Sequence, residues 1–151
     1  MALNRAVLAV LLLLPLPALA DHTFCHALRR AMAEAPQSFS GIPQDDRVFP
    51  GAVEAQRDAE PEPGLAYAAI LNVVLMRHGP RPGRSPTERR YLELAQEVPR
   101  CAPGLRRWME VRTPESSSIT WRLAAVEVIL ILDRPPLDGA FDLSISVSRL
   151  R

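Results

Sequence analysis

The stretch "FDLSISVS", Phe141 to Ser148, decides how the rest of the chain is read. Phe141, Leu143, Ile145 and Val147 fall on one side of an extended backbone, and Asp142, Ser144, Ser146 and Ser148 on the other. Strict alternation of this kind is the mark of a half-exposed antiparallel strand. Its partner is Ile119 to Leu132, reached through the seven-residue turn "DRPPLDG" to give a C-terminal β-hairpin. Within that partner the apolar parity switches from Ile119, Trp121 and Leu123 to Val126, Val128, Leu130 and Leu132, which predicts a bulge or bend near Ala124-Ala125. Alternation over residues 107–112, with Trp108, Glu110 and Arg112 against Met109 and Val111, predicts one more short strand.

Upstream the period changes. Phe24, Leu28, Ala31, Met32 and Ala35 share a face at helical spacing, so residues 22–35 are expected to be a helix, capped by Asp21 or Thr23 and stopped by Pro36. A second helix opens on Ser85-Pro86-Thr87-Glu88, a capping box with proline at the first helical position. Tyr91, Leu94, Ala95 and Val98 continue it, and Pro99 is expected to close it just before Cys101. Residues 36–64 are rich in Pro, Gly and acids; the apolar islands Phe39–Ile42 and Val48–Phe49 suggest one or two short edge strands, then an exposed loop ending in "AEPEPG". Leu65 to Met76 is apolar nearly throughout, and Val73-Val74 between flanking glycines favours a central strand buried on both faces over a third helix. The expected fold is therefore α+β: a mainly antiparallel sheet with two helices packed on one face.

The first twenty residues carry an address. Arg5 precedes a nine-residue apolar stretch, Ala6 to Leu14, and Ala18-Leu19-Ala20 gives the small-x-small pattern of a cleavage site before Asp21. Nine residues at 1.5 Å rise cannot cross a hydrocarbon core about 30 Å thick. The expectation is a cleaved signal peptide over 1–20 and a single domain over 21–151, exported without a stable membrane anchor to a bacterial periplasm or the extracellular space. Removing 20 of the 151 residues leaves 131, with 17 Arg and 17 acids. That neutrality argues against nucleic acid as a partner. Cys25 and Cys101 are the chain's two cysteines, and in an oxidising compartment they are expected to form one disulfide.

The motif that invites a catalytic reading is Arg77-His78-Gly79-Pro80-Arg81-Pro82, with an apolar strand before it and a capped helix after it. In spelling it resembles the Arg-His-Gly-x-Arg-x-Pro signature of the acid-phosphatase branch of the histidine phosphatase superfamily, over about 25 of the 151 residues. The resemblance implies a phosphohydrolase in which His78 is the phosphorylated nucleophile and Arg77 and Arg81 grip the phosphoryl oxygens. The chain departs from the family in two ways. No histidine follows His78 to supply the partner imidazole, and the long α/β domain expected downstream is replaced by a hairpin and its approach. The simpler reading is a strand-to-helix connection with solvated arginines.

His22 and His26, at i and i+4 near Cys25 and Asp21, could chelate a metal, but no third protein ligand is identifiable and no metal site is expected. Ser116-Ser117-Ser118 reads as a loop and Asp45-Asp46 as solvated acids; no phosphate cradle or dinucleotide fingerprint appears, so no cofactor is expected. Charge is unevenly spread: residues 41–66 carry six acids against two arginines, whereas residues 77–112 carry nine arginines against four acids. The basic segment could meet an anionic partner, or the acidic one could fold over it. The expectation is a small exported, non-enzymatic binding or accessory protein, with the His78 phosphohydrolase as the alternative.

Overall fold

A computed structural model describes residues 22–60, 63–79, 86–134 and 140–151. Helix α1 (His22–Glu34) runs into a single 3-10 turn at Ala35–Gln37. Strands β1 (Glu54–Asp58) and β2 (Tyr67–His78) precede helix α2 (Pro86–Cys101), and β3 (Arg106–Arg112), β4 (Ser116–Leu123), β5 (Val126–Asp133) and β6 (Phe141–Leu150) follow it. The strands form one six-stranded sheet in the order β1-β2-β6-β5-β4-β3. Every neighbouring pair is antiparallel. The α+β class, the helices on one face and the C-terminal hairpin all stand.

Register fixes the core. Val73, Ile145, Leu130 and Ile119 lie in one row across the sheet, and Leu71, Val147, Val128 and Trp121 in the next. All eight are at most 4 % exposed, and against them pack Phe24, Leu28 and Ala31 of α1 and Tyr91, Leu94 and Val98 of α2. Burying that many large apolar side chains, at about 1.5–3 kcal/mol each, is what holds the helices to the sheet. Cys25 and Cys101 are bonded with Cα atoms 4.8 Å apart, tying the first turn of α1 to the last residue of α2.

The structure corrects the sequence reading in several places, and Ser116-Ser117-Ser118 is not a loop but the start of β4, paired with β5. The β2 strand is one in from the edge and is buried on a single face, with Asn72 exposed, because no layer of the described residues covers the side of the sheet away from the helices. Pro99 does not end α2, which continues to Cys101; in the last turn proline removes a single hydrogen bond, and the Ala102 amide still reaches the Val98 carbonyl at 3.3 Å. The parity switch at Ala124-Ala125 is a two-residue hairpin turn between β4 and β5, with Ala124 at φ +51°, and not a bulge in one long strand. Register shifts lie instead in β3, between Arg107 and Met109, and in β2, between Tyr67 and Ala69 and between Val74 and Met76.

The islands at Phe39–Ile42 and Val48–Phe49 are not strands but irregular backbone that fills the core, with Phe39, Ile42, Val48, Phe49 and Ala52 all buried. Finally, Ser146 and Ser148 do face away from the helices but are only 2 % and 1 % exposed. Their cross-strand neighbours, Asn72 and Ile129 for one and Ile70 and Glu127 for the other, are longer and overhang them. The proposed leader 1–20, Asp21, Ser85 and most of the 133–139 turn lie outside the described residues.

Candidate functional site

Arg77 and His78 end β2, opposite Asp142 and Phe141 of β6. The Arg77 guanidinium donates through Nε and Nη2 to the two oxygens of Asp142, each at 2.8 Å, and lies 3.6 Å from Glu54. Asp142 and then Glu54 raise its pKa further above the ordinary arginine value. A bidentate pair of this geometry occupies the fork that a phosphoryl group would need. His78 is half-buried beside it, while Pro80, Arg81 and Pro82 lie outside the described residues.

His22 and His26 sit on the exposed side of α1 in a shallow depression shared with Arg29 and Arg30, and Cys25 is withdrawn into the disulfide. Among the described residues no group of three or more His, Cys, Asp or Glu side chains could hold a metal ion.

Three of the nine arginines of 77–112 pair with their own neighbours: Arg90 with Glu93 and Glu97, and Arg107 and Arg112 with Glu110. The acidic 41–66 segment reaches them through Glu54–Arg77, while Asp46 turns to Arg30 of α1 at 2.8 Å. The Val48 amide donating to Asp46, together with Arg30, holds that carboxyl below its ordinary pKa.

Three arginines nevertheless converge. A cleft of about 400 Å³ opens between the first turns of α2 and the end of the sheet. Glu88, Tyr91 and Leu92 come from α2; Arg112, Thr113 and Pro114 from the β3–β4 connection; Ser117, Leu132 and Arg134 from β4, β5 and the residue after it. Helical spacing sets Glu88, Tyr91 and Leu92 on one flank. Arg134 donates from Nη1 to Ser117 Oγ at 2.9 Å and from Nε to Glu88 at 3.2 Å, which fixes its guanidinium. Arg112 donates from Nε to Glu110 at 2.6 Å, and Arg107 reaches the other oxygen of that carboxylate.

Tyr91 lies beneath this cluster. Its side chain is 4 % exposed and its hydroxyl is buried with no hydrogen-bond partner among the described residues. Burial, then the charge of Glu110, pushes the Tyr91 hydroxyl up from its ordinary pKa, against the pull of Arg112, Arg134 and Arg107. It is therefore a protonated donor at neutral pH. A buried polar group left unpaired costs about 1–3 kcal/mol, so its retention calls for a reason.

Sequence reasoning placed Tyr91 in the core stripe, which is true of its ring, and gave no role to Arg134 or Ser117. Nothing in the order of residues shows that positions 91, 112, 117 and 134 meet; the register of β3, β4 and β5 brings them together. No family model, curated protein or solved structure matches this chain.

Proposed function

We propose that this protein is an exported, non-enzymatic binding or accessory module that takes an anionic partner at the cleft beside Tyr91. The observation that carries the reading is the meeting of Arg112 and Arg134 in a cleft lined by Glu88 and Tyr91, whose buried hydroxyl has no partner among the described residues, with Arg107 joined to Arg112 through Glu110. Cluster and hydroxyl together leave an excess of donors and of positive charge. The Cys25–Cys101 bond fits an oxidising compartment, as does the signal-like 1–20 segment. Among the described residues no helix is long and apolar enough to cross a membrane.

Two measurements test the reading. Expressed from the full reading frame in a bacterium, the protein should be recovered from the periplasm or medium with an intact mass that starts at Asp21; a product retaining residues 1–20 overturns export and release. In titrations followed by amide chemical shifts at low ionic strength, small anions should perturb residues around the cleft and lose their effect as salt rises, because such attraction is screened. No perturbation there by any anion overturns the binding reading.

The phosphohydrolase alternative makes a different demand, and we expect it to fail. His78→Ala should leave melting temperature and anion titrations unchanged, since Arg77 is already engaged by Asp142. Incubation with a generic phosphomonoester should yield neither turnover nor a trapped phosphohistidine. Turnover that is lost in His78→Ala would reverse the order of the two readings.

A further inference from the structure

We propose that the Tyr91 cleft is a binding site for a monocarboxylate with a compact apolar body, its carboxylate held between the Arg112 guanidinium and the Tyr91 hydroxyl. The inference rests on the anion-binding reading above and narrows it to a ligand class and a specificity-determining residue.

Charge sets the valence. The charged side chains that line the cleft are Arg112, Arg134 and Glu88, which leave one net positive charge that a carboxylate neutralises and a phosphate dianion exceeds. Two anionic charges beside Glu88, in a partly desolvated cleft, would leave one of them uncompensated.

Geometry sets the donors. Arg134 is fixed by Ser117 and Glu88, so it supplies field more than fork. Arg112 is different: its side chain is 70 % exposed and held only by a surface pair with Glu110, an interaction of little intrinsic strength. It can turn from Glu110 to a ligand in the cleft that Tyr91 also lines. Tyr91 then gains the one partner it lacks.

Shape sets the body. Leu92 is 48 % exposed, and with Leu132 and Pro114 it gives the cleft an apolar wall. A volume near 400 Å³ lies within the range of small-molecule sites.

The test uses benzoate as probe, with benzamide as its neutral counterpart and inorganic phosphate as the dianion-forming control, each titrated into the disulfide-bonded protein. Benzoate should shift amides at Tyr91, Arg112, Thr113, Ser117 and Arg134, and should bind at least ten-fold more tightly than benzamide or phosphate.

Tyr91→Phe supplies the second arm. Loss of one hydrogen bond to a charged group should weaken benzoate about ten-fold. Because the mutation also removes an unsatisfied buried hydroxyl, the free variant should melt no lower than the parent. Weaker binding in an equally or more stable protein is a signature that a merely structural tyrosine cannot give. Wild-type affinity for benzoate in Tyr91→Phe, or equal binding of benzamide or phosphate, overturns the carboxylate site while leaving an anion-binding cleft in place. Absence of any anion effect at the cleft removes the broader reading with it.

Discussion

Replacing Cys25 and Cys101 together by serine should lower the melting temperature by about 10–20 °C, because the unfolded chain loses its cross-link and expands. The bond spans 76 residues of sequence, so it closes more than half of residues 21–151 into one loop. Loop-closure entropy assigns such a cross-link about 4 kcal/mol, against a typical total stability of about 5–15 kcal/mol. The loop holds α1, β1, β2 and α2, whereas β3 to β6 lie outside it. Reduction should therefore free the helices from each other before it disturbs the β4–β5–β6 ladder. Thermal unfolding by circular dichroism, with and without reductant, measures the drop; hydrogen exchange shows its location. A change smaller than about 3 °C would mean that the two half-cystines are held in place without their bond.

Phe39→Ala should cost about 3–5 kcal/mol, although Phe39 lies in a segment with no regular structure. Its side chain has no exposed surface, and it belongs to the same core as Leu28 and Ile145. The backbone works to put it there. Ser38 and Phe39 adopt φ of +54° and +59°, two successive left-handed residues that are not glycine. Each such residue is strained by roughly 1–2 kcal/mol, which the burial of the ring must outweigh. Arg57 of β1 pins the loop by donating to the carbonyls of Phe39, at 2.9 Å, and Ile42. Ser38→Gly, where only the strain is relieved, should move stability the other way. The two variants are compared by urea unfolding. A loss below about 1 kcal/mol for Phe39→Ala would show that the ring is dispensable to the core.

The places where the sequence could be read, and where it could not, follow from the range of the forces involved. The alternation of Phe141 to Ser148 and the stripes of Phe24, Leu28 and Met32 or Tyr91, Leu94 and Val98 are local patterns, and each became the element it predicts. Cys25 next to one stripe and Cys101 at the end of the other made the bond legible too. The Ala124-Ala125 turn was not, because a two-residue hairpin usually announces itself with asparagine or glycine, and here an alanine takes the left-handed position. Phe39 was hidden by its polar surroundings, since nothing local says that an irregular segment will fold inward.

The cleft was hidden for a different reason. Tyr91 has the period of a core residue, and only the sheet register reveals that its hydroxyl ends among Arg112, Arg134 and Glu110. Conversely, Arg77-His78-Gly79 drew the eye by spelling, while its first arginine is engaged by two carboxylates from β6 and β1.

The strand order β1-β2-β6-β5-β4-β3 has a bearing on the timing of assembly. Two local units can form as soon as their residues exist: the β1–β2 hairpin and the β3–β4–β5 meander. Neither touches the other through the sheet. The strand that joins them, β6, is the last of the six in chain order, and it pairs Leu71 with Val147 on one side and Val128 with Val147 on the other. During synthesis from the amino terminus, both halves must wait with an unpaired edge and a bare apolar face until β6 arrives. Closure over so long a contour is slow compared with hairpin formation, which places the domain among the millisecond-to-second folders. On the export route proposed above, that delay would be an advantage: the keystone strand is the last of the six to be delivered, so the chain would stay pliable while the other five pass.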